Sequence, residues 1–143
     1  MKIYFAGPLF SKAEKDFNLN LTERLEFLGF KVFLPQRDGI ENLEGMTKEE
    51  KRRKMFGLDR DKIVESDVFF IVLDGRVPDE GACVELGIAY SNKNDNKLLV
   101  GLQTDIRASF IGSRLNPMIK IPLDQIFEKE EDLINYLKNY INK

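Results

Sequence analysis

Apolar positions along this chain alternate between short continuous runs and stripes spaced three and four residues apart, which predicts strands interleaved with helices. Lys2 to Ala6 reads as an opening strand. Ser11, with Glu14 three residues on, forms a capping box for a helix whose Phe17, Leu21, Leu25 and Leu28 share one face, and Gly29 ends it. A short strand follows at Lys31 to Leu34, then a polar loop from Pro35 to Gly45. Thr47 and Glu50 make a second capping box, opening a long helix to about Glu65. Asp67 to Leu73 is a continuous run of large apolar and β-branched residues, the mark of a strand buried on both faces of a parallel sheet. A helix from about Glu80 to Asn92, a strand from Lys97 to Leu102, an irregular stretch holding Asn116-Pro117-Met118, and a short strand near Gln125 to Phe127 come next. Leu133, Leu137 and Ile141 then mark a C-terminal helix. This alternation predicts a parallel sheet of about five strands covered on both faces, a three-layer α/β domain of flavodoxin-like or Rossmann-like type spanning residues 1–143.

Composition narrows what such a domain does. At 143 residues and 43% hydrophobic the chain is long enough for one core and needs no second. Its 22 basic and 24 acidic residues interleave to a formal net charge of −2, which gives no basic field for nucleic acid and no polybasic patch for a membrane. Lys51-Arg52-Arg53-Lys54 is the one basic cluster, and with Glu49, Glu50 and Asp59 around it, it reads as a solvated helix face. Histidine is absent and cysteine occurs once, so Ser-His-Asp and Cys-His nucleophiles and His/Cys zinc sites are excluded. Carboxylates must carry any chemistry, and no metal or organic cofactor is implied. Cys83 reads as a small core residue, and its lack of a disulfide partner suits a reducing cytoplasm. No secretory signal and no membrane-spanning apolar run is visible.

One carboxylate is out of place. In Val77-Pro78-Asp79-Glu80-Gly81-Ala82-Cys83-Val84-Glu85-Leu86-Gly87, the helical neighbours of Glu85 are Gly81, Ala82, Ile88 and Ala89, so its face of the helix carries no countercharge. Most helical glutamates point to solvent. This one follows a central buried strand, and in open α/β sheets ligands bind at the carboxyl ends of the strands, where the loop Asp74 to Asp79 and the first turns of the next helix lie. Asp59 repeats the oddity, with Met55, Phe56 and Ile63 as helical neighbours, although Arg60 and Asp61 leave a solvent-facing reading open. Neither the dinucleotide-binding glycine pattern nor the P-loop is present. A receiver-like phosphoacceptor at Asp74 lacks partners, because Gly7-Pro8-Leu9-Phe10 after the first strand has no acidic residue for magnesium.

With Tyr4 in the first strand and Gln36 just past the second, the polar points Tyr4, Gln36, Asp59, Asp79 and Glu85 fall at one end of the predicted sheet. Four motifs surround them: Lys2 through Phe10 with its Ala6-Gly7-Pro8, Phe33 through Gly39 with Pro35-Gln36-Arg37-Asp38, Asp79 through Gly87, and Thr104-Asp105-Ile106-Arg107 with Asn116-Pro117-Met118. In order and spacing they resemble the nucleoside 2-deoxyribosyltransferases, whose superfamily also contains the 2′-deoxynucleoside 5′-phosphate N-hydrolases. The resemblance covers most of the chain. It implies Glu85 as nucleophile with Tyr4 holding it, Gln36 and Asp59 at the base, and Asp79 at the sugar or base. It also implies Gly7, Phe10 and Asp38 at the substrate, with Asn116 and Met118 lent by a neighbouring subunit. The implied partners are a small deoxynucleoside and a free purine or pyrimidine base, within a homo-oligomer whose minimal unit is a dimer and whose larger form is a hexamer. In the phosphate-cleaving relatives the position six residues before the nucleophile is a serine; here it is Asp79.

The chemistry suits the residues. A 2-deoxyribosyl group lacks the electron-withdrawing 2′-hydroxyl, so an oxocarbenium-like transition state at C1′ is accessible and a carboxylate can trap it, as in retaining glycosidases. Asp59 or Asp79 is then the acid that protonates the departing base. The leading expectation is base exchange between deoxynucleosides in nucleoside salvage. Hydrolysis of deoxynucleosides or their 5′-monophosphates shares the intermediate and is the alternative, and a non-catalytic nucleotide-binding module is a third that needs neither Glu85 nor Asp59.

Overall fold

The computed structural model describes residues 1–40, 42–105 and 115–141. Its elements run β1 (Lys2–Ala6), α1 (Lys12–Phe27), β2 (Lys31–Phe33), α2 (Pro35–Asp38), α3 (Lys48–Glu65), β3 (Val68–Val72), α4 (Glu80–Ser91), β4 (Leu98–Leu102), α5 (Pro117–Lys120), β5 (Gln125–Phe127) and α6 (Glu130–Ile141). Both capping boxes form: Ser11 accepts from the Glu14 amide and Thr47 from the Glu50 amide, while each glutamate reaches back to its cap. Lys97, buried immediately before β4, donates from Nζ to the Ile63 and Ser66 carbonyls (2.5 and 3.0 Å) and so ties off the end of α3. Two expectations need correction. The stretch after β2 is not all loop, because Pro35 at the first helical position starts the single-turn α2. The stretch at Asn116 is not irregular, since Asn116 caps α5 through the Met118 amide (2.9 Å).

All five strands are parallel, in the order β2-β1-β3-β4-β5. That is the flavodoxin-like winding, and its direction reverses between β1 and β3, opening a crevice at their carboxyl ends. Alternation along the strands divides the core. Ile3, Phe5, Val68, Phe70 and Val72 face α1 and α6, whereas Tyr4, Ala6, Phe69, Ile71 and Leu73 face α3 and α4. Tyr4 therefore belongs to the layer that also carries Asp59 and Glu85. At the crevice, Gly7 brings the end of β1 against the end of β3, where an added Cβ would lie 3.1 Å from the Val72 Cβ.

Candidate active site

Tyr4 is wholly buried, and its ring is stacked between Phe33 and Phe69 at centroid distances of 5.6 and 5.9 Å. The register of β1 with β2 and β3 dictates this, since Tyr4 pairs with Phe33 on one side and Phe69 on the other. A ring held on both faces presents its hydroxyl in one direction, and that hydroxyl donates to Glu85 Oε1 at 2.8 Å.

Glu85 stands on the face of α4 that also buries Ala82, Leu86 and Ala89. Burial pushes its carboxyl up to about 7; the Tyr4 hydrogen bond opposes that rise, and the charges of Asp59 and Asp79 add to it. Asp59 lies one turn before Ile63, whose side chain is buried against the sheet, and burial raises its carboxyl as well. Burial together with Glu85 and Asp59 drives the Tyr4 phenol far above its ordinary range, so it remains a donor at any working pH. Two carboxyls thus share one desolvated space with a fixed phenol between strand and helix.

Asp79 is the N-cap of α4, and its Oδ1 accepts from the Ala82 amide at 2.9 Å. Gly81 makes room for it, because a Cβ there would lie 3.1 Å from that oxygen. Sequence reading weighed Asp74 only as a phosphoacceptor and missed its role as a clasp: it accepts from the Thr104 amide and hydroxyl (2.6 Å each) and from the Asp105 amide (2.9 Å). Asp105 in turn accepts from the Gly75 amide. These bonds join the ends of β3 and β4 and fix the root of the loop leading to Asp79. The signal was an Asp ending a buried strand, a position where loop amides gather.

The other candidate residues have the following places. Gln36 in α2 is bonded to α1, accepting from Asn18 and donating to the Lys15 carbonyl. Asp38 accepts from the Leu34 amide and from Arg37; burial alone would raise its carboxyl, but these bonds outweigh burial and hold it low. Phe10 exposes its ring and donates its amide to Glu14. Met118 projects from α5, 81% exposed. The structure brings Tyr4, Glu85 and Asp59 together, and no hydrogen bond links Gln36, Asp38, Asn116 or Met118 to them within one chain. Ile106 and Arg107 of the fourth motif lie outside the described residues. Among the described residues no group of His, Cys, Asp and Glu is placed to hold a metal ion, and no helix is long and apolar enough to cross a membrane.

Comparison with known proteins bears on the fold and the family. The solved structure of a conserved protein from Enterococcus faecalis is 29% identical, with a TM-score of 0.76 over 98% of each chain. A 2-deoxyribosyltransferase from Bacillus psychrosaccharolyticus is 27% identical, with a TM-score of 0.80 over 95% of this chain and 92% of its own. A CMP N-glycosidase from Clostridium botulinum shares the fold at 20% identity and a TM-score of 0.56, over 98% and 99% of the two chains. No curated protein sequence is significantly similar to this one. Residues 3–137 match the family model described as nucleoside 2-deoxyribosyltransferase, a span holding Tyr4, Asp59, Asp79 and Glu85, and the chain belongs to that family.

Proposed function

We propose that this protein exchanges the base of 2′-deoxynucleosides through a deoxyribosyl ester on Glu85. The observation that carries the reading is the 2.8 Å hydrogen bond from Tyr4, on a carboxylate whose own helix face is otherwise small and apolar. Tyr4 occupies Oε1 and leaves Oε2 to attack C1′. The glycosidic bond breaks with its electron pair passing to the base nitrogen, and Asp59, whose burial favours the protonated form, gives that nitrogen a proton. In the second half an incoming base attacks C1′, Glu85 leaves as carboxylate, and Asp59 recovers the proton. Asp79 has one oxygen committed to the helix cap and one left for a sugar hydroxyl, which supports Asp59 as the proton carrier. We place the reaction in nucleoside salvage in the cytoplasm, where the unpaired thiol of Cys83 is stable.

Incubating the protein with deoxyinosine and cytosine tests this directly. Deoxycytidine and hypoxanthine should appear in equal amounts. Free deoxyribose in place of deoxycytidine would make it a hydrolase, and no product at all would leave a binding module.

Tyr4→Phe should move the acid limb of the pH profile. Glu85 must be ionised to attack, so kcat/KM should rise with pH through about 7 and then level. The lost hydrogen bond favoured the anion, and a bond to a charged group is worth about 1.5–3 kcal/mol, or roughly one to two pH units. The limb should shift upward by that amount while the stacking on Phe33 and Phe69 keeps the fold. An unmoved limb would remove Tyr4 from the nucleophile.

The homo-oligomer is part of the same reading. Met118 on α5, Ile121 just past its end, Val84 on α4 and Phe56 on α3 are large apolar side chains exposed to solvent. A dimer that covers them would bring α5 of one subunit toward the site of the next. Met118→Glu should then give monomers by light scattering and raise KM about tenfold or more; a wild-type monomer with full activity would refute the arrangement.

A further inference from the structure

Asn18 is a buried polar residue on the sheet-facing side of α1, only 3% exposed beside Leu21 and Thr22. Its amide nitrogen donates to the Pro8 carbonyl at 2.9 Å and to Gln36 Oε1 at 3.0 Å. Gln36 Nε2 donates to the Lys15 carbonyl at 2.9 Å. This chain of bonds settles which way the Gln36 carboxamide points, since only its oxygen can face the Asn18 amino group and only its nitrogen can face a carbonyl. Inverting it would set N–H against N–H and oxygen against oxygen. The same Asn18 amino group tethers the Gly7-to-Phe10 loop, so loop and carboxamide are held by one side chain.

A glutamine that flips freely can offer donor or acceptor at either position. A locked one cannot. Nucleobases divide at that edge: cytosine and adenine place an amino donor beside a ring-nitrogen acceptor, whereas uracil, thymine, hypoxanthine and guanine place an oxo acceptor beside an N–H donor. We propose that Asn18 is a positioning residue that sets the discrimination between amino and oxo bases by locking the Gln36 carboxamide. The proposal rests on Gln36 contacting the base, as the reading above holds.

The test compares acceptor kinetics for cytosine against uracil and for adenine against hypoxanthine in the wild type, Asn18→Asp, Asn18→Ser and Gln36→Ala. The wild type should discriminate within each pair. Asn18→Asp, once ionised, offers only acceptors and competes with the Lys15 carbonyl for the Gln36 amino group, so the lock is lost and the amino-to-oxo ratio of kcat/KM should move about tenfold, the effect of one mispaired hydrogen bond. Asn18→Ser cannot hold both partners and should bring the ratio toward one. Both changes should appear in the acceptor KM, with kcat at saturating base within about threefold of the wild type. Gln36→Ala separates the two claims. If it leaves KM and the ratio unchanged, Gln36 does not read the base; if it changes them while both Asn18 variants keep the wild-type ratio, Asn18 does not set the discrimination. A wild-type ratio of one overturns the proposal, as does a wild-type NMR spectrum in which the Gln36 amide protons show no through-space contact to α1, whether or not the variants fold.

Discussion

Glu85→Gln should abolish base exchange and at the same time make the protein more stable above neutral pH. Loss of a nucleophile typically costs on the order of 10⁴-fold or more, because an amide cannot form the glycosyl ester and the remaining groups act only through it. The stability gain follows from the raised carboxyl. Its pKa is 4.5 as a free side chain and about 7 in the fold, so between those values the native state binds a proton that the unfolded state has lost. The resulting stabilisation is complete below pH 4.5 and disappears as the pH rises through 7. Above that, the wild type carries a buried charge worth about 3 kcal/mol, from 1.36 kcal/mol per pH unit. Gln has no charge to bury and can still accept from Tyr4. Denaturant unfolding at pH 4.5 and pH 8 should show the variant gaining at the higher pH alone. An equal effect at both would mean that Glu85 is solvated in the folded protein.

Asp79→Ser should shift substrate preference toward deoxynucleoside 5′-monophosphates. Serine is also a good N-cap, so the bond to the Ala82 amide survives and charge is the main thing removed. At an effective dielectric of about 20, a carboxylate 4 Å from one phosphate charge costs roughly 4 kcal/mol before screening, equivalent to several hundredfold in affinity. Arg37 is not free to offset this, since it is bonded bidentately to Glu26 (3.0 and 2.8 Å) and also to Asp38 and the Val32 carbonyl. The wild type should therefore prefer deoxycytidine and deoxyinosine to their monophosphates by roughly a hundredfold, and the variant should narrow that gap by tenfold or more. A wild type that favours the monophosphate would overturn the transferase reading and put the N-hydrolase in its place.

Period and capping signals made most of the fold legible, because the physics that sets them is local. The buried run at Val68–Val72, the two capping boxes and the stripe of α1 depend on neighbours within one or two turns. Strand order did not depend on such neighbours. The alternation of strand and helix constrains winding but left the flavodoxin-like and Rossmann-like orders both open, and it does not set the register that seats Tyr4 between Phe33 and Phe69. Glu85 stood out because a carboxylate on an apolar helix face is locally anomalous. Asn18 did not, although it interrupts the apolar face of α1, because a single polar residue in a stripe acquires meaning only when its partners Pro8 and Gln36 are brought to it from other elements. Asp79 was legible as acidic but not as a helix cap, since Pro78 and Gly81 on either side of it fit a turn equally well. The two misread stretches, at α2 and α5, are single helical turns too short to show a period.

The most direct test is to trap the intermediate with a 2-fluorinated deoxynucleoside, whose electron-withdrawing substituent slows the breakdown of a glycosyl ester, and to locate the added mass by peptide sequencing. The mass of one fluorodeoxyribosyl group should be found on the peptide containing Glu85, and on the Glu85 side chain within it. The same mass on Asp59 or Asp79, or turnover of the probe by Glu85→Gln at the wild-type rate, would contradict the assignment of Glu85 as the nucleophile.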